Sequence, residues 1–113
     1  MGIKFNGITI VLLLVLSLSF AGCKKDSMGS PGTNEVWMQN TVFNPATITV
    51  AANTTITWTN KDNMTHTVTS DASLFNSGNI NNGGTFMHQL TTAGTFSYHC
   101  SIHAGMTGKV VVQ

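Results

Sequence analysis

The sequence predicts an all-β fold, a β-sandwich of about seven or eight strands. Three observations carry this. Short runs alternate apolar and polar residues with period two, and threonine fills most polar positions, the pattern of strands with one face in a core. Turn signals rich in Asn, Gly and Pro separate those runs at intervals of about ten residues, the spacing of a sandwich. No segment keeps a helical apolar period over ten residues, and Ser73–Asn82 has room for one short helical turn or none.

Residues 1–22 read as an export segment. Lys4 gives a positive start, Ile8 to Leu18 is apolar apart from Thr9 and Ser17, and small Ala21 and Gly22 precede Cys23. At about 11 residues the apolar stretch is short for a membrane-spanning helix, which needs roughly 20. Phe20-Ala21-Gly22-Cys23 resembles a bacterial lipobox, with Phe where Leu is commoner. That resemblance implies a lipid on Cys23, which then becomes the first mature residue and anchors the chain to a bacterial membrane. The alternative is an ordinary secretory signal with an incidental cysteine. Residues 23–33, rich in Lys, Ser, Gly and Pro, read as a flexible tether. Residues 34–113 are then the one folded domain, placed in the periplasm or at the cell surface.

Within the domain, Thr47-Ile48-Thr49-Val50 puts Ile48 and Val50 on one face. Thr55 to Thr59 turns Ile56 and Trp58 inward and three threonines outward. His66-Thr67-Val68-Thr69 repeats the pattern, and Thr85–Leu90, Thr95–His99 and Lys109–Val112 follow. Such half-buried strands are expected to pair antiparallel. Turns fall at Asn44-Pro45, Ala52-Asn53, Asn60 to Asn63, Asn81 to Gly84 and Ala93-Gly94. The expected core is Ile48, Val50, Ile56, Trp58, Val68, Phe86, Leu90, Phe96, Tyr98, Val110 and Val112. There is no internal repeat.

Charge narrows the function classes. Only 8% of residues are charged. Beyond residue 22, Lys24, Lys25, Lys61 and Lys109 balance Asp26, Glu35, Asp62 and Asp71. No basic patch exists for nucleic acid, and no strong field exists to steer a charged partner. Two cysteines at opposite ends do not make a disulfide framework.

The chemistry lies near the C-terminus. Cys100, His103 and Met106 recur at three-residue steps, and His66 lies 34 residues before Cys100. Thiolate and thioether are soft donors that hold Cu(I), whereas imidazole also accepts Cu(II). Cys, two His and Met are therefore the set that makes a blue-copper electron-transfer site. Strand parity points Cys100 inward behind Phe96 and Tyr98, and gives His66 the inner face shared with Val68. Each residue alone has a blander reading as a core or packing side chain. Zinc would favour more thiolates or a carboxylate. Haem attachment needs a second cysteine, but Ile102 stands there. His88 and His99 are read as packing or surface residues. Met28, Met38, Met64 and Met87 are scattered and read as packing or tether residues.

Asn44 to Val50, Ile56 to Asn60 and His66 to Val68 resemble the front half of plastocyanin-type cupredoxins. Gly94 to Gly108 resembles their copper loop, with the short Cys-x-x-His-x-x-Met spacing similar to amicyanin. The resemblance spans residues 36–112. It implies a Greek-key cupredoxin sandwich binding one type 1 copper ion. His66, Cys100 and His103 would be trigonal ligands, and Met106 the weak axial one. Thr67 stands where many members have Asn, and Ala104 where many have Pro. Thr67 and Ser101 are expected to hydrogen-bond around the ligands and tune them.

Four protein donors close a site and favour electron transfer over catalysis, so no enzyme is expected. The expected role is a monomeric electron carrier tethered to the membrane, with His103 as the electron port. Its partners would be redox proteins of the cell envelope, a cytochrome or a copper enzyme. The alternatives are copper delivery without redox turnover and a purely adhesive sandwich.

Overall fold

The computed structural model describes residues 29–113. Eight strands follow in order: β1 (Glu35–Gln39), β2 (Val42–Asn44), β3 (Thr47–Val50), β4 (Thr54–Asn60), β5 (Thr69–Ser70), β6 (Thr85–Leu90), β7 (Gly94–His99) and β8 (Thr107–Val112). They form two four-stranded sheets, ordered β2-β1-β4-β6 and β3-β8-β7-β5. Among the described residues there is no helix. The all-β sandwich expected from alternation is therefore present.

Inward residues of both sheets build one core. Along β4, Ile56, Trp58 and Asn60 are buried, and the threonines between them are not. The apolar core joins Val36 and Met38 of β1, Phe43 of β2, Ile48 and Val50 of β3, Tyr98 of β7 and Val110 and Val112 of β8. Phe86 and Phe96 are only partly buried against it. Trp58 is its centre, edge-on to Tyr98 at 5.4 Å and tilted against Phe75 at 6.1 Å. Burying each such side chain is worth roughly 1.5–3 kcal/mol before entropy is subtracted.

Three expectations need correction. β1 and β2 form strands that alternation had not singled out. The pairing is also not uniformly antiparallel, since β1 runs parallel to β4 and β3 runs parallel to β8. A sandwich whose connections cross between sheets can bring co-directional strands together, and alternation says nothing about direction. Finally, His66–Thr69 is not one strand: only Thr69–Ser70 is, and His66 makes a single bridge to Ile80. The Ser77 hydroxyl accepts the Val68 amide at 2.8 Å, where a ladder would need a carbonyl. A side-chain acceptor satisfies the backbone but does not propagate a strand.

β4 and β7 lie in different sheets. The segment after β4 carries His66, and the segment after β7 carries Cys100. This arrangement brings the remote histidine to the loop.

Candidate metal centre

The framework side begins at Asn60, fully buried at the end of β4. Its Nδ2 donates to the carbonyls of Met64 and Ile80, both at 2.8 Å. Its Oδ1 accepts the Asp62 amide at 2.8 Å. An Asn bonding to backbone two residues on is a turn former. Here it folds residues 60–64 into a fixed bend that aims Asp62 back at β1 and at His66. Asp62 Oδ1 accepts the Asn40 amide at 2.7 Å, and Oδ2 accepts the Thr41 amide at 3.0 Å. His66 Nε2 lies 2.8 Å from the same Oδ2.

Burial pushes the Asp62 carboxyl up. The Thr41 amide, the His66 ring and the Asn40 amide more than offset this, so its pKa falls below the ordinary value. A carboxylate at Nε2 assigns the proton to that nitrogen and leaves Nδ1 as the free donor atom of the ring.

The loop side is Cys100–Met106. The Cys100 amide donates to the Met106 carbonyl at 2.9 Å, and the Met106 amide to the His103 carbonyl at 3.3 Å. Gly105 closes the turn at φ 84°, a conformation that glycine adopts without strain. Cys100 and Met106 are buried, and His103 is half-buried.

Thr67 ties the two sides together. Its amide donates to Cys100 Sγ at 3.4 Å, its Oγ1 accepts the Ser101 amide at 2.8 Å, and that oxygen lies 3.0 Å from Ser101 Oγ. Thr67 thus links the segment after β4 to the segment after β7. Burial raises the Cys100 thiol. The amides of Thr67, Ile102 and His103 and the His103 ring more than reverse this, bringing it down to about 6. The thiolate form, which binds metal, is accessible at neutral pH.

Three donors converge. His66 Nδ1 and His103 Nδ1 are 3.1 Å apart, and Cys100 Sγ lies 3.8 and 3.7 Å from them. Metal bonds of roughly 2.0–2.3 Å put sulfur and nitrogen about 3.7 Å apart in a trigonal array, as found here, and the 3.1 Å between the nitrogens corresponds to a narrower N–metal–N angle of about 100°. The cluster fits one copper ion in spacing and in softness. The backbone of Met106 is hydrogen-bonded to both Cys100 and His103.

The other candidates lie elsewhere. His88 packs on Phe75 at 4.7 Å and stacks on Phe86 at 6.1 Å. His99 Nδ1 meets Asp71 Oδ1 at 2.6 Å on the surface. Met38 is core, whereas Met64 and Met87 are exposed. Cys23 and Met28, with the export and lipid expectations, lie outside the described residues. Asp62 and Asn60 carry no sequence motif that marks them as site residues. The one signal is a run of Asn and Asp at a turn, with Asp62 four residues before His66.

Known proteins give the same picture. The model of the cupredoxin-like domain matches residues 10–112. The chloroplastic plastocyanin of Tetradesmus obliquus is 35% identical over 86 residues, covering 64% of this chain and 59% of that protein. The chain therefore spans less than two thirds of that relative's length. A novel purple cupredoxin from Nitrosopumilus maritimus superposes with a TM-score of 0.66 at 29% identity, over 70% of this chain and 98% of that one. A Cu(I) form of an amicyanin variant gives 0.68 at 26% identity, over 77% and 88%. A copper-sized His-Cys-His cluster thus stands on a fold and a sequence that copper proteins share, and the chain belongs to the cupredoxin-like family.

Proposed function

We propose that the chain is a type 1 blue-copper electron carrier of the bacterial cell envelope. Copper bound here would supply a one-electron change between Cu(I) and Cu(II). His66, Cys100 and His103 would be its strong ligands and Met106 its weak axial ligand. The observation that carries this reading is the convergence of Cys100 Sγ and both Nδ1 atoms to within 3.8 Å, from two separately braced segments.

The residues then have distinct tasks. His66 is fixed by Asp62, and the Cys100 sulfur is held by the Thr67 amide. Such bracing lets one donor geometry serve both oxidation states, which keeps the cost of electron exchange low. His103 is half-buried beside exposed Ile102, which suits it to be the port for electrons. Four protein donors would close the site around the metal and leave no position for a substrate, so we assign it no catalytic role. Cys23 would carry the lipid anchor, 23–33 the tether, and 34–113 the working domain, a monomer whose partners are envelope cytochromes or copper enzymes.

The test is mixing. Reduced protein should exchange electrons reversibly with an oxidised cytochrome, with copper staying on the protein. Transfer of Cu(I) to a metal-free acceptor without electron exchange would instead establish a delivery role.

A further inference from the structure

Asp62 does more than contact a histidine. Its carboxylate joins the turn between β1 and β2 to the ring of His66, through three hydrogen bonds that fill both oxygens. The turn residues Asn40 and Thr41 both have left-handed backbones, at φ 58° and 61°. That conformation is uncommon for threonine, and it directs consecutive amides to one acceptor. The Asp62 backbone is held in turn by Asn60 Oδ1 at its amide and by Asn82 Nδ2 at its carbonyl. The carboxylate is therefore anchored from β1–β2, from β4 and from the 81–84 turn, and its side chain is only 11% exposed.

We propose that Asp62 is a positioning residue that fixes His66 with Nδ1 toward Cys100 and keeps the reduction potential of the centre low. This rests on the copper reading above. The physical reasoning has two parts. A hydrogen bond at Nε2 leaves the buried ring one tautomer and one orientation. A largely buried negative charge one ring away from a metal is weakly screened, and it favours the more positive oxidation state.

The experiment compares the parent with Asp62→Asn, Asp62→Glu and, as a charge control at the far end of β1, Glu35→Gln. In Asp62→Asn the charge is gone, and the amide group opposes at least one backbone N–H of the turn. Voltammetry should show Asp62→Asn shifted toward the reduced state by tenfold or more in the redox equilibrium, about 59 mV upward for one electron. Asp62→Glu and Glu35→Gln should each shift it by less than about threefold. An unchanged potential in Asp62→Asn, or an equal rise in Glu35→Gln, overturns the electrostatic claim.

A second readout needs no metal and no variant. Nitrogen NMR of the metal-free parent should find the His66 proton on Nε2. A proton on Nδ1 overturns the positioning claim even if Asp62→Asn fails to fold. A parent that binds Cu(II) without a blue band contradicts the copper reading and the potential claim with it, while the tautomer still decides the positioning claim.

Discussion

His66 and His103 bring the same ring nitrogen to points 3.1 Å apart, yet they are held in opposite ways. His66 has no exposed surface, and its far nitrogen is locked on Asp62. It sits where Asn60, Asp62 and the Ile80 bridge all brace the chain. His103 stands half-buried in a loop closed by Gly105, between exposed Ile102 and Ala104. One ring belongs to the framework and the other to the surface. In the copper reading proposed above, the site would keep its geometry through the first and would meet its partner through the second.

The sharpest way to break that comparison is to remove each ring in turn. His66→Gly and His103→Gly should both lose the blue band when loaded with copper. Added imidazole should restore it in His103→Gly, where the gap opens toward solvent, and not in His66→Gly, where the core closes over it. Equal rescue in both, followed by visible absorption, would mean that the two sides are equivalent.

A smaller effect is expected from cutting the tie between the sides. Thr67→Val keeps the shape but leaves the Ser101 amide without its 2.8 Å acceptor. Loss of a partner for a part-buried donor costs about 1–3 kcal/mol. Urea unfolding of the metal-free protein should show that loss, and Thr67→Ser should recover most of it. A Thr67→Val protein as stable as the parent would show that the crosslink is idle.

The smallest effect concerns acid. The Asp62 carboxyl lies below its ordinary value in the folded state. Its contribution is complete above the unfolded value of about 3.9 and is lost as pH falls through the folded value. Metal-free parent should therefore lose stability below about pH 4 more steeply than Asp62→Asn. Parallel curves from acid titrations followed by circular dichroism would remove Asp62 from the bracing.

The loop side was far more legible in the sequence than the framework side, and the reason is locality. Cys100, His103 and Met106 sit within one turn of chain, so spacing alone exposed them. Parity then put Cys100 inward behind Tyr98, and the structure buries both. Alternation likewise showed β3, β4 and β6 to β8. His66 was recognisable by resemblance, but its mounting was not. Its bridge partner Ile80 and the core residue Phe75 lie in an irregular segment without a period to read. The Asp62 clamp depends on a hairpin turn 21 and 22 residues upstream. Val36 and Met38 of β1 point inward, but Trp37 between them is also apolar, so that run shows no apolar–polar alternation to read.

The central claim is that these two sides meet on one copper ion through a thiolate. Addition of Cu(II) to the metal-free domain, followed by visible spectroscopy on the parent and on Cys100→Ser, tests it most directly. The parent should develop the intense thiolate-to-copper band at one equivalent, and Cys100→Ser should stay folded without it. A colourless copper-loaded parent, or a blue Cys100→Ser, would contradict the account.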